Sequence, residues 1–202
     1  MVLISTLILV LSMLPWQAQA VASPEPPPQA SATLTAMLPE LAAEPGVVIV
    51  GYPVRGGSAR LVRQSMNEVR PSSAAGERFD GLTTWRYAAR WMRSADGDCD
   101  PASAEVSVSI VVTLPELETT ERLSRQDRAN WDRYLRALAA HEHNHVRLAR
   151  AGAEQMSTYM RGAPDCATMM AARTQIGDAV REASRTYDAT TRHGATEGAT
   201  YP

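Results

Sequence analysis

The feature that most limits what this chain can fold into is a long run of helical periodicity. From Ser124 onward Trp131, Leu135, Leu138, Ala149, Met156 and Met160 recur on one stripe, and Gly162 with Pro164 marks its end. Ser124 and Asp127 stand at capping-box spacing ahead of it. A helix of that length with one apolar face needs a covering layer along its whole span. Gly152 falls on the same face, where a missing side chain lets a neighbouring element approach closely.

The covering layer is legible upstream as period-two alternation. Trp85, Tyr87, Ala89 and Trp91 alternate with Arg86, Ala88 and Arg90 within 83–92. After a turn at 95–98, Val106, Val108, Ile110, Val112 and Leu114 alternate with Ser107, Ser109 and Thr113. The two segments predict an antiparallel hairpin broken at Pro115. Before them, the β-branched run 47–54 predicts a strand, and Ser58 is placed to cap a helix reaching Val69. Beyond the long helix, Asp165 can cap a second one carrying Met169, Ile176, Val180, Ala183 and Tyr187, followed by an irregular tail to Pro202. The expected fold is α+β: a small antiparallel sheet packed on the long helix and a second C-terminal helix.

Residues 2–16 are largely apolar, and Ala18-Gln19-Ala20 supplies a small-x-small cleavage pattern. The expectation is a signal peptide over 1–20, cleaved after Ala20, although no Lys or Arg precedes the apolar run. A retained anchor is the alternative. The apolar run is shorter than the roughly 20 residues needed to span a bilayer, so no stable membrane association is expected after cleavage. Residues 21–45, opening on Ser23-Pro24-Glu25-Pro26-Pro27-Pro28, are read as a proline-rich linker. Residues 46–202 form the expected domain, in a periplasmic or secreted location. The two cysteines, Cys99 and Cys166, fit that oxidising setting as one disulfide. In the chain-entropy view such a crosslink stabilises by roughly 4 kcal/mol.

Charge and composition remove some function classes. Net charge is −2, which advertises no nucleic-acid partner. All 20 basic residues are arginine, so lysine Schiff-base and P-loop chemistry are excluded. What remains is the string His141-Glu142-His143-Asn144-His145 inside the helical run. Four residues apart, His141 and His145 lie about 40° apart around the axis and about 6 Å along it. Both imidazoles can therefore meet one tetrahedral Zn2+ ion. Glu142, beside the first ligand, is placed to deprotonate a zinc-bound water and pass the proton to a leaving amine. His143 lies about 200° from His141 and is read as exposed or supporting.

A catalytic zinc needs a third protein ligand. The metzincin extension fails, because Leu148 and Ala151 occupy its glycine and histidine positions. The thermolysin offset lands on Asp165, a weak candidate at a helix boundary. His193, in Tyr187-Asp188-Ala189-Thr190-Thr191-Arg192-His193-Gly194, is the favoured third ligand. Asp188 is the runner-up, as a ligand or as a carboxylate orienting an imidazole. Tyr187, ahead of the core residue Tyr134, is the candidate phenol for an oxyanion.

His141-Glu142-x-x-His145 followed by Tyr187-Asp188-x-x-Thr191-x-His193-Gly194 resembles the bacterial predicted secreted zinc-dependent proteases, a family defined as a domain of unknown function. The resemblance extends through Thr84-Trp85, Cys99, Leu114-Pro115 and Trp131. It implies an exported zincin-like metallopeptidase acting on a peptide or protein substrate. The alternative reading is a non-catalytic envelope protein in which zinc staples the long helix to the tail.

Overall fold

The computed structural model describes residues 29–93, 97–118 and 123–202. The expected signal peptide lies outside them, as do the first part of the linker and part of the 95–98 turn. Two short helices, α1 (Ala32–Met37) and α2 (Pro39–Ala42), lead into strand β1 (Val47–Val54) and helix α3 (Ala59–Val69). Strands β2 (Leu82–Arg93) and β3 (Cys99–Leu117) follow, then α4 (Arg125–Arg161), α5 (Cys166–Thr191) and a 3-10 turn at Ala195–Glu197. The α+β class holds. Ser58, Ser124 and Asp165 cap α3, α4 and α5 through their side chains, as the sequence predicts.

The sheet departs from expectation. Its order is β1-β3-β2, and β1 runs parallel to β3, with Val47 opposite Ile110 and Val54 opposite Leu117. β2 and β3 form the antiparallel hairpin, so the sheet is mixed rather than antiparallel. A hairpin is encoded by neighbouring segments and their turn. The return of β1 to the far side of β3 is a long-range pairing that alternation does not report. β3 also runs through Pro115 instead of breaking there. β2 starts opposite Thr113, so beyond that point β3 has a strand on one side alone among the described residues, where a missing N–H is tolerated.

α4 lies across one face of the sheet and joins two apolar clusters. In the first, Ile110, Val112 and Leu114 meet Trp131, Leu135 and Val146. In the second, Met156 and Met160 of α4 meet Met169, Ile176 and Val180 of α5, under Trp85, Tyr87 and Trp91. Each large side chain buried this way stabilises by roughly 1.5–3 kcal/mol. Gly152 sits where α4, α5 and β2 converge. A Cβ there would collide with Val180 and the Tyr87 hydroxyl, and that hydroxyl donates to the Ala149 carbonyl at 2.8 Å.

The stretch read as a linker is partly folded. Leu34, Leu38 and Leu41 are buried in the first cluster, so α1 and α2 cover part of the N-terminal half of α4. Proline density describes the start of that stretch, whereas its later leucines recur at helical spacing and find a partner only in the tertiary fold. The expected disulfide joins Cys99 to Cys166 with Cα atoms 5.8 Å apart, tying the start of β3 to the start of α5. It points to an oxidising compartment. No helix among the described residues is long and apolar enough to cross a membrane.

Candidate metal centre

α4 presents His141, Glu142 and His145 inward, 2%, 3% and 5% exposed. α5 packs antiparallel to α4, and its inner stripe turns from apolar to polar where it reaches them. Val180, Ser184 and Asp188 are spaced four residues apart, so one helix face delivers a core residue, a hydroxyl and a carboxylate in turn. Asp188 Oδ1 stands 3.0 Å from both His141 Nε2 and His145 Nε2, and the two nitrogens are 3.2 Å apart. These three residues are a group of ligand atoms able to hold a metal ion.

The other ring nitrogens are tied from behind. His141 Nδ1 lies 2.8 Å from Glu197 Oε2, and His145 Nδ1 lies 2.9 Å from Ser184 Oγ. A carboxylate has no proton to give, so His141 Nδ1 carries the hydrogen and Nε2 turns its lone pair toward Asp188. Two acceptors at 3.0 Å need a positive charge between them. Without a metal, a proton serves. Burial alone favours a neutral His141, but its hydrogen bonds to Asp188 and Glu197 outweigh burial and raise its pKa. Burial likewise opposes the charge on Asp188, yet bonds to both histidines hold it well below the usual carboxylate range.

A metal fits the same geometry. Four ligands at 2.0–2.1 Å around a tetrahedral ion are about 3.3 Å apart, close to the 3.0–3.2 Å separations here. Each imidazole also has an orienting partner on its far nitrogen, the arrangement that fixes tautomer and ring direction in metal sites. Replacing Glu197 by alanine is expected to weaken metal affinity about 10- to 100-fold. Competition against a chromophoric chelator measures this, and an unchanged affinity would remove Glu197 from the role.

The favoured third ligand of the sequence reading, His193, borders the same cavity as the trio but is not one of the three grouped ligand residues. His193 stands past the end of α5 in a left-handed conformation, as does Arg192 before it. Its ring packs near Phe79 at 4.9 Å, its side chain is 55% exposed, and Nδ1 comes only to 3.5 Å from Asp188 Oδ1. Asp188, the runner-up, occupies the convergent position. Tyr187 packs against His141 and is not part of the cavity wall formed by the trio and Glu142. Its ring stacks on His141 at 4.8 Å, and its hydroxyl donates to Glu197 while accepting from Asn144. Burial and Glu197 push the phenol up to about 12, so it keeps its proton. Tyr134 is buried and donates to Asp80 at 2.9 Å, Asp165 is spent on capping α5, and His143 faces away to meet Glu44 at 2.7 Å.

Glu142 is held by the start of β2. Thr83 is in phase with Trp85 and Tyr87, so it faces α4, and its hydroxyl donates to Glu142 Oε2 at 2.6 Å. Gly81 lies against the other carboxylate oxygen, where a Cβ would collide. Just before it, Asp80 is anchored by Arg63 at 2.6 Å and by Tyr134, while its carbonyl accepts from Tyr52 at 2.7 Å. Burial raises the Glu142 pKa, with the Thr83 hydroxyl opposing. Above these groups is a cavity of about 450 Å³ whose wall includes His141, Glu142, His145 and Asp188. Thr83, Ser184 and Glu197 escape a sequence reading because single hydroxyls and a tail carboxylate carry no spacing signal.

A family model described as "Bacterial protein of unknown function (DUF922)" matches residues 49–194, which include Glu142 and the three candidate ligands. Glu197 and the two N-terminal helices lie outside that span. No curated protein and no solved structure matches the chain. The chain belongs to this bacterial family of unknown function.

Proposed function

We propose that this member of the DUF922 family is an exported zinc-dependent peptidase in which His141, His145 and Asp188 hold the ion and Glu142 is the general base. The observation that carries the reading is the buried Glu142 carboxylate, fixed by Thr83 beside the ligand trio and open to the same cavity. A zinc ion held there supplies Lewis acidity toward a carbonyl and makes water a nucleophile near neutral pH. Glu142 takes the proton of the attacking water and returns it to the leaving amine. Thr83 and Gly81 keep its carboxylate on that line, and the Glu197 and Ser184 contacts keep the imidazoles aimed at one point. The same His-His-carboxylate set serves iron in oxygenases. A glutamate next to the first histidine, in the H-E-x-x-H spacing, favours hydrolysis.

The test uses the mature chain loaded with zinc and incubated with a mixed peptide library, its products read by mass spectrometry. Cleavage that stops on chelation and returns with zinc is the expected result. A metal-loaded chain giving no more products than the metal-free one would overturn the reading.

A further inference from the structure

The cavity that the trio lines also has three arginines in its wall. Arg70 and Arg78 come from the segment between α3 and β2, and Arg192 from the end of α5. Their charges are poorly matched by the protein. Arg192 has no hydrogen bond or ion pair from its guanidinium among the described residues, although its backbone is fixed by the N–H donated to Asp188 O. Arg78 donates to the Glu68 carbonyl at 2.8 Å, a neutral acceptor that leaves its charge in place. Arg70 reaches Asp80 only at 3.4 Å, while Arg63 holds that carboxylate at 2.6 Å, and Arg70 Nε is buried without a partner.

The acidic side of the wall is otherwise engaged. Asp188 serves the ligand trio, Glu142 is held by Thr83, and Asp80 is held by Arg63 and Tyr134. Exposed Glu77 is the one remaining carboxylate in the wall, and no ion pair engages it among the described residues. With Arg70 drawn to Asp80, the one free carboxylate, Glu77, stands against Arg78 and Arg192, which leaves a cationic surplus beside the reacting centre. Arg78 and Arg192 are exposed at the cavity mouth, whereas Arg70 Nε is a buried donor of the kind seldom left unpaired, and a guanidinium presents its N–H groups in a fork that matches a carboxylate.

Building on the peptidase reading, we infer that this cleft selects substrates by a carboxylate near the scissile bond, held by Arg192 and Arg78 with Arg70 behind them. The carboxylate is either an Asp or Glu side chain or the free C-terminus of the peptide. Matched peptides separate the two sources: amidated peptides with Asp or Glu scanned across the scissile region, neutral peptides with a free C-terminus, and neutral amidated controls. The zinc-loaded chain is expected to prefer one carboxylate set over the controls about 10- to 100-fold in kcat/KM. Arg192→Ala and Arg78→Ala are expected to lose that preference while retaining zinc content and melting temperature.

Equal cleavage of all three sets would overturn the inference and leave the peptidase reading standing. If no set is cleaved, fluorescence anisotropy of the same peptides on the zinc-loaded chain decides. Carboxylate-dependent binding weakened by Arg192→Ala would keep the inference and sink the peptidase reading. Binding indifferent to the carboxylate, or none, would overturn the inference as well.

Discussion

Glu142→Gln is expected to bind as much zinc as the unaltered chain and to hydrolyse peptides about 10²- to 10⁴-fold more slowly. The substitution keeps the side chain's length and leaves an oxygen to accept from Thr83, which now stands 2.6 Å from Oε2. It removes the basicity that abstraction of a proton from water requires. Glu142 is outside the convergent trio, so metal content has no reason to fall. Stoichiometry by plasma mass spectrometry and kcat from initial rates are the two readouts. Turnover within a few-fold of wild type would mean that another group is the base, and loss of zinc would mean that Glu142 is a ligand.

The second large effect separates Asp188 from His193. Asp188→Ala is expected to lower metal affinity by more than the roughly 10- to 100-fold that losing an orienting partner costs, because it removes a charged ligand atom 3.0 Å from both Nε2 nitrogens. His193→Ala is expected to leave affinity within a few-fold, since its ring is more than half exposed and sits beside Asp188 rather than inside the trio. Isothermal titration of the metal-free variants with zinc measures both. The reverse result would restore His193 as the third ligand. Loss in both variants would indicate a closed four-ligand site, the geometry of a structural zinc and not of a catalytic one.

That contrast marks how far the sequence reached. His141, Glu142 and His145 were legible because their relation is local: four residues of helix fix two imidazoles on one face, whatever the rest of the chain does. The alternation of Trp85, Tyr87 and Trp91, the caps of α3, α4 and α5, and the close approach at Gly152 were legible for the same reason. So was the pairing of Cys99 with Cys166, since two cysteines allow one partner each.

Other features escaped it, and these depend on distant segments. β1 returns parallel to β3, a pairing that local periodicity cannot report. Leu34, Leu38 and Leu41 stand at the end of a proline-rich stretch and find a surface to bury against only in the tertiary fold. Ser184, rather than Ala183, lies on the inner face of α5, and it reveals its partner only when that helix is laid against His145.

The sequence by itself therefore determined the histidine-bearing helix: its length, its apolar stripe, and two imidazoles with a carboxylate on one face. Only the tertiary structure decided what completes the centre. The packing of α5 against α4 brings Asp188 to the two Nε2 nitrogens, and the left-handed turn at Arg192 and His193 sets the later histidine beside Asp188 at the cavity wall. The tail then curls back to set Glu197 behind His141. Spacing along a helix fixes direction around its axis, but which residue of a second element meets that direction depends on how the two helices pack and where the second one ends.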